Sequence, residues 1–355
     1  MDLLKRLNKS GLLNTFPKFL LDNTMYATYM GSVAYGVSNL GSDVDIYGFC
    51  LPPKENIFPH LAGEIPGFGS QIQRFNQFQQ HHIKDKSTDK EYDITIFSIV
   101  KYFQLCMENN PNIIDSLFVP RTCIMHSTAI SEHVRENRKL FLHKGAYYKF
   151  KGYSYSQMHK MKTKVPQGLS EFLEFEKEHR LPKNTCRSDV LKELYRRECG
   201  SPLTETTLLT YLTDEQLKKY DTLFDSVGVR TLDTKIHGYD LKFSYHIVRL
   251  LSECEQILVE GDINLQKNNE QLKSIRRGEW SLKQIEQYFV DKEKQLEELY
   301  IKSTLQHKPD EDKIKALLLE CLEMHYGSLE KAVYIAPDLE NDLKMIAKIV
   351  NKYNY

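Results

Sequence analysis

The 355-residue chain carries 48 basic and 48 acidic side chains, so its net charge of zero gives no global attraction to nucleic acid or membranes. Hydrophobic residues make up 41% of the chain and charged residues 27%, as in soluble globular proteins. No apolar run approaches the ~20 residues of a membrane span, and no signal peptide is evident. Seven cysteines without a Cys-x-x-Cys pair predict a reduced, cytoplasmic protein without a zinc cluster.

The first distinctive stretch is a strand that ends in a Gly-Ser turn. Residues 1–24 predict a helical lead-in, and Tyr26 to Met30 predict a short strand. Gly31 and Ser32 interrupt this strand, and a helical turn can start after them. Glycine lets the backbone approach a ligand closely, and N–H groups at a helix start favour an anion such as phosphate.

An Asp-x-Asp pair follows about ten residues later. Asp43 and Asp45 lie in an apolar run that ends before Pro52. Residues i and i+2 of a strand project to the same face, so the two carboxylates are expected side by side. They would repel each other unless a cation lies between them, and such hard oxygen ligands suit Mg²⁺.

The stretch 54–90 is rich in Gly, Pro, Gln and His, which predicts a long loop with room for one short strand near Gln71–Gln79. His81 and His82 in this stretch suit either metal binding or, as is commoner for adjacent histidines in a polar loop, solvent exposure. Residues 91–97 then alternate polar and apolar, which predicts a half-buried strand followed by a helix capped by Ser98.

The Gly31-Ser32 turn followed by Ser42-Asp43-Val44-Asp45 resembles the signature of the DNA polymerase beta-like nucleotidyltransferase superfamily. The fuller pattern is similar to its branch of predicted nucleotidyltransferases from bacteria and their phages. This resemblance implies an α+β fold: a small mixed β-sheet core with helices, followed by a mostly α-helical domain that closes over the nucleotide. The expected domains are 1–136 and 137–355.

The implied reaction moves a nucleoside monophosphate from a nucleoside triphosphate such as ATP to a hydroxyl acceptor, which is an RNA end, a protein side chain or a small molecule. Asp43 and Asp45 would hold two Mg²⁺ ions, with Mn²⁺ as a substitute. The family pattern needs a third carboxylate on a neighbouring strand, for which Asp93 is the first candidate and Glu91 the second; an ordinary strand acid is the alternative. The nucleotide-binding residues expected in this half are Gly31, Ser32 and Ser42.

An Asn-Pro-Asn element also resembles this branch. It precedes an apolar run that carries Asp115. A structural role is expected for Asn112 and Asp115 rather than a catalytic one.

Residues 137–170 form a basic segment without a single acid. It contains Arg138 and seven lysines, interleaved with Tyr147, Tyr148, Tyr153 and Tyr155. Basic groups offset phosphate charge and tyrosines stack on bases, so this segment predicts an RNA contact. A solvated basic helix is the equally weighted alternative.

Lys242, His246 and Arg249 recur at i, i+4 and i+7 in a stretch with helical periodicity, and this pattern too resembles the branch. Three donors on one stripe suit a triphosphate clamp. The alternative is a buried histidine beside two surface cations.

Two other classes of function stay open at this stage. One is a nucleotide-binding sensor that keeps the fold without catalysis, and the other is an antitoxin-like protein that binds an unidentified protein partner. The intact acids Asp43, Asp45 and Asp93 favour the enzyme.

Overall fold

The computed structural model describes residues 2–38, 42–71, 73–163, 168–182, 208–226, 229–328 and 339–353. Its sheet has five strands in the order β3-β4-β2-β1-β5. The strands β2 and β4 pair in parallel, and the other three pairings are antiparallel, so the sheet is mixed. The strands are β1 (Thr24–Tyr29), β2 (Val44–Cys50), β3 (Gln77–Asp85), β4 (Lys90–Ser98) and β5 (Ile124–Ser127).

Helices surround the sheet and make up most of the chain after it, which confirms the expected α+β class. Those of the first part are α1 (Asp2–Lys9), α2 (Leu20–Asn23), α3 (Gly31–Ala34), α4 (Lys54–Ile57), α5 (Ile99–Met107), α6 (Pro111–Phe118) and α7 (Ala129–Glu136). Those of the second part are α8 (Ala146–Thr163), α9 (Leu169–Glu178), α10 (Asp214–Ser226), α11 (Val229–His237), α12 (Leu241–Glu260), α13 (Asn269–Arg276), α14 (Leu282–Lys302), α15 (Glu311–Tyr326) and α16 (Leu339–Tyr353). None of the helices described is both long and apolar enough to cross a bilayer.

Side-chain caps fix the starts of several of these helices, and the one at Ser98 confirms the prediction. Ser98 accepts a hydrogen bond from the backbone of Lys101 and begins α5. Asp240 caps α12, and Ser281 forms a capping box with Gln284 at the start of α14. These caps satisfy backbone N–H groups that have no partner within the helix.

The prediction for residues 54–90 was wrong in one respect, because β3 is a nine-residue strand rather than a short one. It is an edge strand whose Gln and His side chains are exposed except for the half-buried Gln80, and only Phe78, Ile83 and Asp85 are buried along it. A register shift between Gln80 and Ile83 breaks the alternation that would reveal the strand in the sequence.

Two apolar cores lie on the two faces of the sheet. The smaller one joins α1 to Ile46 and Ile94. The larger one is continuous from the sheet into the second half, and it holds Phe49 and Phe103 together with Ile247 and Leu317. The predicted segments 1–136 and 137–355 therefore share one core, while their status as separate domains stays a prediction.

Candidate active site

Two carboxylates lie side by side on adjacent strands. Asp45 on β2 and Asp93 on β4 are direct partners in the parallel pairing, so both side chains point to the same face. Ile46 and Ile94, the next residues, pack in the core beside α1, so the two acids point toward the helical half. The structure thus brings Asp93, rather than Glu91, into register with Asp45.

Burial and neighbouring acids make Asp45 difficult to ionise. Desolvation and then repulsion from Asp93 raise the pKa of the Asp45 carboxyl to about 6, and Asp43 adds to the repulsion. Lys242 acts in the opposite direction. Asp43 itself is exposed just before β2. This excess of negative charge on a half-buried face would be relieved by a cation.

Gly31 lies directly against the Asp45 side chain. Its φ of +57° falls in the left-handed region, and a Cβ added there would lie 1.9 Å from Asp45 Oδ2. The preceding backbone N–H of Met30 donates to the carbonyl of Asp45 at 2.8 Å. The turn and the carboxylate therefore pack together only because position 31 has no side chain. Ser32 follows this glycine in the chain, and both Ser32 and Ser42 are half-buried.

A bulge in β3 places two histidines next to the second acid. The backbone N–H of His82 donates to Asp93 Oδ1 at 2.8 Å, and His81 Nδ1 lies 3.2 Å from Asp93 Oδ2. The His82 ring pairs with Glu91 at 2.5 Å, which raises the pKa of this histidine. His82 has a φ of +56°, an uncommon conformation for a residue other than glycine. The bulge therefore fixes the orientation of the Asp93 carboxylate.

The start of α12 brings positive charge to this face. Lys242 is exposed and lowers the pKa of Asp45, which places its ammonium within electrostatic reach of the acids. His246, one turn later, is half-buried and its ring is stacked on that of Tyr245 at 4.2 Å. A contact between either side chain and a triphosphate stays a prediction.

Arg249 has a different environment, since it is only 4% exposed. Its Nη1 donates to Asp115 Oδ2 at 2.6 Å and to the Tyr35 hydroxyl at 2.5 Å, and both oxygens of Glu253 lie 3.3 Å away. A direct contact of Arg249 with a triphosphate stays a prediction, and it would require these bonds to open.

The helical half also holds the backbone that follows Gly31. Gln266 Nε2 donates to the carbonyl of Ala34 at 3.1 Å, and Arg276 Nη1 donates to that of Val37 at 2.6 Å. Together with the bond from Arg249 to the Tyr35 hydroxyl, three side chains of the second half bind the turn 31–37. Gln266 and Arg276 satisfy backbone carbonyls, and all three donors limit the movement of the turn.

The basic segment 137–170 is partly neutralised by acids of the structure. Lys151 pairs with Glu293 and Lys162 with Glu286, each at 2.7 Å. Tyr147 is buried, whereas Tyr155 is 64% exposed and Lys160, further along α8, is exposed as well. Residues 164–167, including Lys164, lie outside the described residues. The surface left for an RNA contact is thus narrower than the sequence indicates.

The acids supply suitable donor atoms for the expected metal ions. Asp43, Asp45 and Asp93 offer hard carboxylate oxygens, and the repulsion between Asp45 and Asp93 favours a divalent cation. Within the ranges that the structure describes, no three His, Cys, Asp or Glu side chains are arranged to hold an ion as they stand. Ion binding at these acids therefore belongs to the proposal below.

The sequence did not reveal that Tyr35 and Glu253 are buried partners of Arg249. The sequence does contain a hint of each residue. Tyr35 directly precedes Gly36 in the Gly-Ser motif, and Glu253 follows Arg249 by one helical turn. An acid and a base one turn apart on a mainly apolar helix indicate a buried ion pair.

Comparison with known proteins bears on this geometry. A family model described as the RNA repair pathway DNA polymerase beta family matches residues 5–331 of the chain. An uncharacterized 38.9 kDa protein from the nrdC-mobD intergenic region of Enterobacteria phage T4 is 26% identical over 120 residues. That alignment covers 33% of this chain and 33% of the phage protein.

Proposed function

The chain belongs to the RNA repair pathway DNA polymerase beta family, and from this premise we propose that it is a metal-dependent nucleotidyltransferase. It transfers a nucleoside monophosphate from a nucleoside triphosphate, such as ATP, to a hydroxyl acceptor. The observation that carries the proposal is the register of Asp45 with Asp93 beside the side-chain-free Gly31. The family description favours an RNA end as the acceptor over a protein side chain or a small molecule.

Each residue has a separate part in this proposal. Asp43, Asp45 and Asp93 would hold the metal ions, and Gly31, Ser32 and Ser42 would bind the phosphates of the nucleotide. Bound at these acids, Mg²⁺ or Mn²⁺ would supply positive charge against the phosphates. Lys242 and His246 add charge from the start of α12, and His81 and His82 keep Asp93 in one orientation.

In this reaction the acceptor oxygen forms a bond to the α-phosphorus while the bond between that phosphorus and the departing pyrophosphate breaks, and the proton of the acceptor hydroxyl passes to water. The protein contributes positioning and charge rather than covalent chemistry. An RNA acceptor would lie along the exposed face of α8, and a cytoplasmic location is part of the proposal.

The test is incubation of the protein with each α-labelled triphosphate, Mg²⁺ or Mn²⁺, and total cell RNA or total cell protein. Label in the RNA fraction is expected, and it should disappear in Asp45→Asn. Single-turnover measurements should show a larger loss of the chemical step in Asp93→Asn than in Glu91→Gln. The reverse order would assign the third carboxylate to Glu91.

The alternatives give different results in the same experiment. Metal-dependent nucleotide binding without transfer to any fraction would indicate a sensor. Neither binding nor transfer, together with a stoichiometric partner that purifies with the protein, would indicate an antitoxin-like protein.

A further inference from the structure

Four buried polar side chains join segments that lie far apart in the sequence. Tyr35 belongs to the turn after α3, Asp115 to α6, and Arg249 and Glu253 to α12. Their exposures are 3%, 0%, 4% and 2%, so water hardly screens their interactions. Tyr35 is the bridge of this group: its hydroxyl accepts from Arg249 Nη1 at 2.5 Å and donates to Asp115 Oδ2 at 2.9 Å.

The charges of the group do not balance if both acids are ionised. In the described part of the chain, Arg249 is the one cation bonded to Asp115 and Glu253. Its Nη1 lies 2.6 Å from Asp115 but 3.3 Å from both oxygens of Glu253, so Asp115 is the charged partner. Burial, and repulsion from Asp115, raise the pKa of Glu253 well above its usual range. A buried unpaired charge is avoided when Glu253 keeps its proton.

The hydrogen-bonding capacity of this group is not fully used. Among the described residues, Asp115 Oδ1 and Arg249 Nε have no hydrogen-bond partner. Unsatisfied buried atoms reduce stability, and local departures of this kind are expected at functional sites.

Tyr35 lies inside a short network of turn hydrogen bonds. The backbone N–H of Val37 donates to the carbonyl of Ser32 at 2.9 Å, and the N–H of Gly36 donates to the carbonyl of Val33 at 3.1 Å. Holding Tyr35 at its hydroxyl therefore holds the backbone between Ser32 and Val37. The same backbone begins at Gly31, against the Asp45 carboxylate.

We propose that Arg249 and Asp115 are positioning residues that act through the Tyr35 hydroxyl to hold the Gly31–Val37 turn, with Glu253 as a neutral carboxylic acid beside them. In this proposal Arg249 acts on the turn, in place of the direct contact with a triphosphate that the sequence predicts. That the turn binds phosphate rests on the proposed function. The bracing of the turn, meaning the restriction of its backbone by Arg249 and Asp115, can be measured even if the protein binds no phosphate.

The experiment compares Tyr35→Phe and Asp115→Asn with the matched control Glu253→Gln, which has the shape and charge of the protonated acid. Amide hydrogen exchange at Gly36 and Val37 measures the bracing of the turn. Calorimetric titration with tripolyphosphate and Mg²⁺ measures the phosphate site, and thermal melts monitor the fold.

Tyr35→Phe and Asp115→Asn should exchange these amides about tenfold faster or more, and bind tripolyphosphate about tenfold more weakly. Glu253→Gln should match the wild type in both measurements. Wild-type exchange in Tyr35→Phe would overturn the proposal, as would a Glu253→Gln variant as impaired as Asp115→Asn. If Asp115→Asn does not fold, Tyr35→Phe decides. Wild-type protein that binds no tripolyphosphate would contradict the proposed function, while the exchange pattern would still decide the bracing.

Discussion

Asp45 stands against another carboxylate in a half-buried position, and its pKa of about 6 makes the fold sensitive to pH. Between about pH 4 and 6, the Asp45 carboxyl keeps its proton in the folded state. In the unfolded state, where its pKa is the ordinary 3.8, the same carboxyl has lost the proton. The contribution of Asp45 to the free energy of unfolding therefore falls as the pH rises from about 4 to 6. Above pH 6 the repulsion is fully present unless a cation offsets it.

Replacing Asp45 should separate this repulsion from catalysis. In the absence of metal, Asp45→Asn should melt at a higher temperature than the wild type, and the difference should grow from pH 4 to 6 and then level off. Transfer should fall by about 10²–10³-fold or more. Asp89→Asn, an exposed acid between β3 and β4, is the control and should leave both unchanged. Wild-type turnover in Asp45→Asn at saturating Mg²⁺ would exclude the metal-binding role.

Gly31 allows a second residue-scale prediction with a matched control. Gly31 and Gly11 have φ values of +57° and +67°, but a Cβ at position 11 would meet nothing within 4 Å. Both Gly→Ala changes add left-handed strain of roughly 1–2 kcal/mol. Only Gly31→Ala adds a clash with Asp45, so it should show the larger loss of melting temperature and lose transfer. Equal effects of the two changes would mean that the contact with Asp45 is unimportant.

At the scale of elements, the bulge of β3 is held by backbone geometry. His82→Gly keeps the N–H that binds Asp93 and removes the strain of the positive φ, so stability should be equal or higher by up to about 1 kcal/mol. His82→Val loses the same ring but forces a β-branched residue into that conformation, and both stability and transfer should fall. Urea unfolding and transfer rates measure the contrast. Indistinguishable variants would show that the bulge does not orient Asp93.

The proposed RNA contact of α8 uses the side chains that this helix exposes. Lys160→Gln should reduce the slope of log affinity against log salt by about one phosphate contact. Tyr155→Ala should lower the affinity without changing this slope, because stacking releases no counterions. Filter binding over a range of salt concentrations tests both. Binding that is insensitive to salt would direct attention to a protein or small-molecule acceptor.

Local patterns in the sequence were sufficient for much of the fold. The Gly31 turn, the strand carrying Asp93 and the cap at Ser98 all follow from neighbouring residues. The full length of the edge strand β3 could not be predicted in this way. Its side chains are mostly polar, and the register shift interrupts the alternation of polar and apolar residues that marks a strand. The Arg249 cluster could not be foreseen either, since its partner Asp115 is 134 positions away in the chain.

The molecule as a whole is held together by a core that both halves share. Phe103 and Ile114 of the first part belong to the same apolar cluster as Tyr245 and Ile247 of the second. A fragment ending at residue 136 would expose one side of this cluster to water. We expect the fragment to show no cooperative thermal transition by near-ultraviolet circular dichroism, whereas the full chain does. A sharp transition in the fragment would establish 1–136 as an independent domain.

Arg249, Gln266 and Arg276 hold the Gly31–Val37 turn, but the ribosome makes them long after the turn itself. The turn ends at Val37, but its last brace, Arg276, is made 239 residues later. At ordinary rates of translation this gap is on the order of ten to fifty seconds. During that interval a nascent chain already carries the Gly-Ser motif and the aspartates without the side chains that hold them in place. Nucleotide binding is therefore expected to begin only after Arg276 has been made, and products that end before this residue should be inert.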